Sequence, residues 1–377
     1  MKATTTRWPD MLPDHPALGR PITELATPVL LVDLEVLERN IATMAGFFSE
    51  RPARLRPHVK THRAPAIARM QVAAGAYGIT APKVSVAEAM VDGGIDDVYI
   101  ANQVVSRLAI GRLAALAQRA TVSVAVDDTR NVADLSAAAD AYRATLDVLI
   151  EVDAGMGRCG VRPGVPALAL AEAVACASGL RFAGIHVYEG HVVQDPDSEV
   201  RKTETEKMLD LALESRDLIQ RAGLPVETLT CGGTGTYDIS GVYPGVTEHQ
   251  SGSYVYMDPG YVQKVPAFGL ALSVLCTVVS RPVPERVITD GGIQVLSDDG
   301  GAPEMKGHPE LASLPLSEEH STFLVRAGEQ TVLDVGDRVE IHPSHCCGAA
   351  NLHDHVYAVR DGAVEAIWAV TARGRSQ

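Results

Sequence analysis

The sequence predicts an α/β protein: a parallel (β/α)8 barrel followed by an antiparallel β domain. Three observations predict this. Strand-like and helix-like segments alternate between about residues 50 and 260, enough for eight strands. Beyond about residue 270 the segments are short, alternating and bounded by turn residues. Chemically useful side chains also recur at the ends of the first group of strands, where a barrel places its site. A doubly wound sheet would alternate too, but it would concentrate its site at one switch point.

Residues 1–26 read as an irregular N-terminal extension. Residues 27–265 read as the barrel domain and 266–377 as the β domain. VLLVD at Val29–Asp33 is a strand, and Leu34, Leu37, Ile41, Met44 and Phe47 recur at helical spacing after it. The barrel count is full without that strand, so it can join the β domain. The first barrel strand is expected over Leu55–Val59, leading into Lys60. Further strands are expected at 77–80, 97–101, 121–126, 147–152, 181–187, 228–230 and 252–257, with helices between most of them. In the β domain, ALSVLCTVVS, RVITDGG, STFLV, RVEIHPS, HVYAV and VEAIWAV read as strands, and Asp361-Gly362 as a hairpin turn.

Composition narrows the function classes. The 377 residues are 46% hydrophobic and 21% charged, which is ordinary for a globular chain. A net charge of −14 argues against nucleic acid and anionic membrane surfaces as partners. No signal-peptide pattern or apolar run of membrane-spanning length is present, and six scattered cysteines do not make a disulfide scaffold. A cytoplasmic, reduced protein is expected.

Three groups carry chemistry. In RPHVKTH, Lys60 stands at a strand end, where desolvation turns a lysine into a nucleophilic amine. Asn102, Arg158 and Tyr188 stand at the ends of other barrel strands. Arg158 can face a ring nitrogen or a carboxylate, or simply pair with Glu151 or Asp153. Cys231-Gly232-Gly233-Thr234-Gly235-Thr236 follows a strand, and its backbone N–H groups can converge on an anion, with Gly252-Ser253 completing the cup. His345 and Cys347, in HPSHCC, are expected on an extended segment that turns both side chains the same way. Imidazole with thiolate suits zinc or another borderline divalent ion, and His353, Asp354 and His355 are candidate supporting groups.

These motifs carry a resemblance. The chain resembles the D-threonine aldolase and D-serine dehydratase family, which has the alanine racemase fold. The resemblance runs from ATPVLLVDLEVLERNI to VEAIWAVTARG and rests on RPHVKTH, EVDAGMGRCGV, GGTGT, GSYVYMD, SEEH and HPSHCC…NLHD. It implies Lys60 as the pyridoxal 5'-phosphate Schiff-base lysine, Arg158 near the pyridine nitrogen and Tyr188 beside the ring. It implies Gly233, Thr234, Gly235, Ser253 and Tyr254 around the phosphate, and His345 and Cys347 as ligands of manganese, magnesium, cobalt or zinc. It also implies a homodimer. Aldolases of this type usually carry Asp where Cys347 stands, whereas dehydratases carry Cys. Pro82 replaces a frequent Gln, and Gly348-Ala349 a Pro-Thr.

The implied reaction is retro-aldol cleavage of a D-β-hydroxy-α-amino acid to glycine and an aldehyde. GGTGT and NLHD lean that way, while Cys347 leans towards the alternative, dehydration of D-serine or 3-hydroxyaspartate to a keto acid and ammonia. An amino-acid racemase is a second alternative; it needs two bases and no metal. A cofactor-binding protein without enzymatic activity is a third, against which the added β domain counts.

Overall fold

The computed structural model describes residues 10–377, so the first nine residues of the expected extension lie outside the described residues. Packing divides the chain into two units. One comprises Met44–Lys60, Ala68–Gly252 and Arg375–Gln377; the other comprises residues 10–43, Thr61–Ile67 and Ser253–Gly374.

In chain order, β1 (Val29–Asp33) leads into α1 (Leu34–Ser49). There follow β2 (Arg54–Leu55), α2 (Pro65–Ala73), β3 (Ile79–Ala81), α3 (Val84–Asp92), β4 (Asp97–Gln103), α4 (Arg107–Leu116), β5 (Thr121–Val126) and α5 (Thr129–Tyr142). Next come β6 (Leu146–Glu151), α6 (Val165–Cys176), β7 (Leu180–His186), α7 (Ser198–Arg221), β8 (Thr228–Cys231), α8 (Tyr237–Ser240) and β9 (Glu248–His249).

Strands β2 to β9 form one curled parallel sheet in the order β2-β9-β8-β7-β6-β5-β4-β3. Its two end strands are linked by a bridge between His58 and Thr80. Val59 N–H donates to the Thr80 carbonyl and Thr80 N–H to the Pro57 carbonyl, both at 2.9 Å. Tyr99, Ala125, Leu149 and Ala183, from β4 to β7, pack together as one layer. The alanines leave room for the tyrosine ring, and such layers fill a barrel rather than leaving a pore.

Two expectations need correction. The strand leading to Lys60 is only Arg54–Leu55, and Lys60 lies in the turn beyond it. Pro57 has no N–H to give the ladder, so pairing there shrinks to a bridge. The eighth strand is Glu248–His249, not Gly252–Met257, which instead holds a 3-10 turn at Ser253–Val255. The apolar run Tyr254–Met257 is buried, but Met257 at φ 56° turns the chain out of any extended course.

The other unit contains α9 (Pro259–Val262), β10 (Leu272–Val283), β11 (Arg286–Thr289), β12 (Glu304–Met305), β13 (Leu311–Ser313), β14 (Ser321–Val325) and β15 (Arg338–His342). It ends with α10 (Cys346–Leu352), β16 (His355–Arg360) and β17 (Ala363–Ala369). The sheet runs β13-β14-β11-β10-β1-β16-β17, and β15 pairs with β10 and β12. It is mixed rather than antiparallel, because β1 pairs antiparallel with β10 and parallel with β16. Those two neighbours run in opposite directions, so a strand inserted between them must run parallel to one. Asp361 and Gly362, both at positive φ, make the β16–β17 turn.

Residues 10–26 have little regular structure, yet they are part of this unit's core. Ala17 and Leu25 are buried with Val29, Leu31, Leu275, Val364 and Ile367. Among the described residues, no helix is long and apolar enough to cross a membrane.

Candidate active site

The Lys60 turn is held from below by Arg56. This buried guanidinium bonds Glu248 Oε2 on β9 at 2.7 Å and Asp97 Oδ1 at the start of β4 at 2.5 Å. Burial alone would lower the Arg56 pKa, but Glu248 and then Asp97 outweigh it and hold it raised. Lys60 N–H donates to His58 Nδ1 at 3.3 Å, and Lys60 Nζ lies 5.9 Å from the centre of the Tyr188 ring. Arg158 Cζ lies 5.3 Å from the same centre. Its Nη2 is 3.5 Å from Glu151 Oε1. Asp153 is occupied otherwise, accepting from Gly155 N–H and Gly157 N–H. Half-buried Asn102 donates its side-chain amide to the Pro82 carbonyl at 3.0 Å.

The glycine-rich stretch becomes a 3-10 turn at Thr234–Thr236, capped by Gly233. Fully buried Glu189 organises it, accepting from Gly232 N–H at 3.1 Å, Thr236 Oγ1 at 2.7 Å and Ser240 Oγ at 2.9 Å. Gly232 sits at φ +100°, and a Cβ there would fall 2.0 Å from His249 Nε2. At Gly235 a Cβ would fall 1.7 Å from the Val193 carbonyl oxygen. His249 accordingly packs against bare backbone. Burial lowers its pKa to about 3, so the ring stays neutral. In the other unit, half-buried Ser253 and buried Tyr254 open a second 3-10 turn, whose first carbonyl accepts from Tyr256 N–H and Met257 N–H.

His345 and Cys347 do meet, but not on an extended segment. His345 is extended and caps α10, and Cys347 lies inside the helix. The chain changes direction between them, and their side chains are hydrogen-bonded. That bond raises the His345 pKa to about 9, with Asp299 adding to it against the opposing effect of burial. Asp299 Oδ2 lies 2.8 Å from His345 Nδ1. Cys347 Sγ lies 3.6 Å from Thr61 Oγ1, and Thr61 is the residue after Lys60 in the chain. Asp258 accepts from Tyr261 N–H at 3.2 Å and also from Cys346 N–H, so one buried carboxylate serves the starts of both α9 and α10. Two of the three neighbouring candidates are engaged elsewhere: His353 Nε2 pairs with the Val295 carbonyl, and Asp354 with Arg373. Sequence reasoning missed Asp299, Glu189 and Asp258. Only the last stood inside a quoted motif.

The donor sets fit the two groups the motifs imply. For pyridoxal phosphate there is a primary amine and a guanidinium beside one aromatic ring, and a 3-10 turn of the polarity an anion takes. For a divalent ion there is a sulfur and an imidazole already in mutual reach, the imidazole oriented by a carboxylate as in histidine–metal sites. Among the described residues no group of three or more His, Cys, Asp or Glu is placed to hold a metal, so water or substrate would complete the coordination.

The chain is similar to known proteins over almost its whole length. The alanine racemase N-terminal domain matches residues 32–259, and a serine dehydratase domain matches 271–359. A D-threonine aldolase of Arthrobacter sp. is 39% identical over 97% of each chain. A 3-hydroxy-D-aspartate aldolase of Paracoccus denitrificans is 37% identical over 96% of each. The crystal structure of D-threonine aldolase from Filomicrobium marinum superposes with a TM-score of 0.93 at 41% identity, covering 96% of this chain and 99% of that one. A D-threo-3-hydroxyaspartate dehydratase of Delftia sp. is more distant, at 27% identity over 90% of this chain and 96% of its own. The chain therefore belongs to the pyridoxal phosphate-dependent, alanine racemase-like family of D-threonine aldolases, 3-hydroxy-D-aspartate aldolases and the related dehydratases.

Proposed function

We propose that this protein is an aldolase that uses pyridoxal phosphate and a divalent ion to cleave D-β-hydroxy-α-amino acids to glycine and an aldehyde. The observation that carries the reading is the pair of neighbouring residues Lys60 and Thr61. Lys60 Nζ lies beside the Tyr188 ring, and Thr61 Oγ1 lies 3.6 Å from Cys347 Sγ. An amine for the cofactor and a ligand pair for an ion are thereby tied to adjacent positions of one turn.

Bound pyridoxal phosphate supplies an electron sink for the pair left at Cα when the Cα–Cβ bond breaks. Lys60 Nζ would anchor it, and Tyr188 would pack against it. Arg158 would face its ring nitrogen as a donor, which would keep that nitrogen unprotonated. Gly233, Thr234 and Gly235, with Ser253 and Tyr254, would receive its phosphate. His345 Nε2 and Cys347 Sγ would hold the ion, which would act as a Lewis acid towards a β-hydroxyl. Asp299 Oδ2 faces His345 Nδ1 and would keep the proton on that nitrogen, so an ion bound at Nε2 would have to displace only the Nε2 proton.

The test is product identity with D-threonine and added manganese. Glycine and acetaldehyde support the aldolase. Ammonia and a keto acid instead would establish the dehydratase, the reading that Cys347 favours. The same proposal makes the protein a cytoplasmic homodimer without nucleic-acid partners. Sedimentation as a monomer at assay concentrations would remove the dimer.

A further inference from the structure

Arg158 rides on a loop rather than on a strand. The loop runs from the end of β6 to Val161, where a bridge between Val152 and Val161 closes its base. Two hydrogen bonds fix that base: Val161 N–H donates to the Glu151 carbonyl, and Gly160 N–H to the Asp127 side chain at Oδ2. None of these bonds fixes the guanidinium, whose side chain is 48% exposed. The side chain of Glu151, by contrast, is 5% exposed. It is the last residue of β6, in register with His186 on β7. Gln103 Nε2 donates to Glu151 Oε2 at 2.5 Å, leaving Oε1 for Arg158 Nη2 at 3.5 Å. A layer deeper, Tyr99 OH meets His186 Nδ1 at 2.9 Å, both side chains buried. A buried carboxylate therefore faces a half-exposed cation that shares the Tyr188 ring with Lys60 Nζ.

We propose that Glu151, held by Gln103, is a positioning residue: it aims the Arg158 guanidinium across Tyr188 and offsets part of the positive charge that Arg158 presents to the cofactor. This rests on the proposed placement of pyridoxal phosphate on Lys60. A lone guanidinium would disfavour any protonated, cationic form of the lysine-bound cofactor, and Glu151 softens that field. The two ring distances put Lys60 Nζ and Arg158 Cζ within about 11 Å of each other. At an effective permittivity of about 20, losing one compensating charge on the order of 10 Å away moves a titration by about one pH unit.

The experiment is a pH titration of the visible absorbance of the cofactor-loaded protein, with the pyridoxal phosphate Kd measured by fluorescence. Glu151→Gln keeps the shape and removes the charge. It is expected to lower the titration midpoint by about one pH unit and to weaken cofactor binding several-fold. Glu151→Asp, which keeps the charge, is expected to restore most of the midpoint. In an Arg158→Ala background the same Glu151→Gln change should shift the midpoint by clearly less than it does with Arg158 present, because only the direct field of the carboxylate then remains. An equal shift in both backgrounds overturns the proposal, since Glu151 would then act without Arg158. An unchanged midpoint in Glu151→Gln overturns it as well. A wild-type protein that develops no visible band with pyridoxal phosphate overturns the cofactor reading and this proposal with it. A wild-type band with no coupling to Glu151 overturns this proposal alone.

Discussion

Replacing Arg56 by Met should destabilise the parallel-sheet unit and loosen the turn that carries Lys60. The Arg56 side chain is 6% exposed, Glu248 4% and Asp97 24%. Removing the guanidinium leaves Glu248 as a buried, uncompensated carboxylate, while Asp97 can recover some hydration. Breaking a buried pair in this way costs about 3–5 kcal/mol. For a unit of about 200 residues the unfolding entropy is about 0.4 kcal/mol per kelvin, so the thermal midpoint should fall by about 7–12 °C. Arg56→Met/Glu248→Leu removes both charges and should recover at least half of that loss, because an apolar pair of similar volume carries no desolvation penalty. Thermal unfolding followed by circular dichroism measures both. Cofactor retention on a desalting column should drop in the single variant, since Lys60 lies four residues from Arg56. A midpoint lowered by less than about 2 °C, or a double variant no more stable than the single one, would refute the reasoning that this buried pair holds the turn.

Four further outcomes are expected. Lys60→Ala should develop no visible band with pyridoxal phosphate, as Lys60 is the amine beside Tyr188 among the described residues; an intact band would mean the anchoring lysine is another one. Cleavage of D-threonine should stop on chelation and return with manganese, cobalt or zinc, and His345→Ala should lose it while keeping the Lys60 band; full cleavage in that variant would remove the metal reading. Asp299→Ala should weaken metal affinity about 10- to 100-fold in a manganese titration, and Cys347→Asp should shift preference towards manganese or magnesium, the harder ions. The last outcome concerns acid. The folded value of His249, about 3, lies below the ordinary 6.5, so the unfolded chain binds the extra proton between those limits. Its contribution to stability is therefore full above pH 6.5 and is lost as pH falls towards 3. Thermal midpoints should decline across that window, and less steeply in His249→Asn; equal slopes would show that His249 does not control it.

The alternation from Asp97 to Cys231 was legible in the sequence because a strand buried on both faces reads as an apolar run, and a helix covering it as a 3.6-residue stripe. Lys60, Arg158, Tyr188 and the Gly233–Thr236 turn were legible for a related reason: each follows a strand end, so chain position alone puts it near the barrel mouth. The sequence could not show that β9 is the pair Glu248–His249, since two residues have no period and both are polar. The full barrel count already let β1 join the other sheet, but its place between β10 and β16 could not be read, because hydrogen bonds to Leu272–Leu275 and Tyr357–Val359 leave no mark on the pattern of Val29–Asp33. The groups that orient the site were hidden for the same reason. Asp299 serves His345 from 46 residues away, Glu189 serves Gly232 from 43, and Glu151 is held by Gln103 from 48. Local periodicity encodes which face of an element is buried. Which distant carboxylate meets which cation, imidazole or N–H is decided only when the elements pack, because a charge field has no sequence period and acts through space.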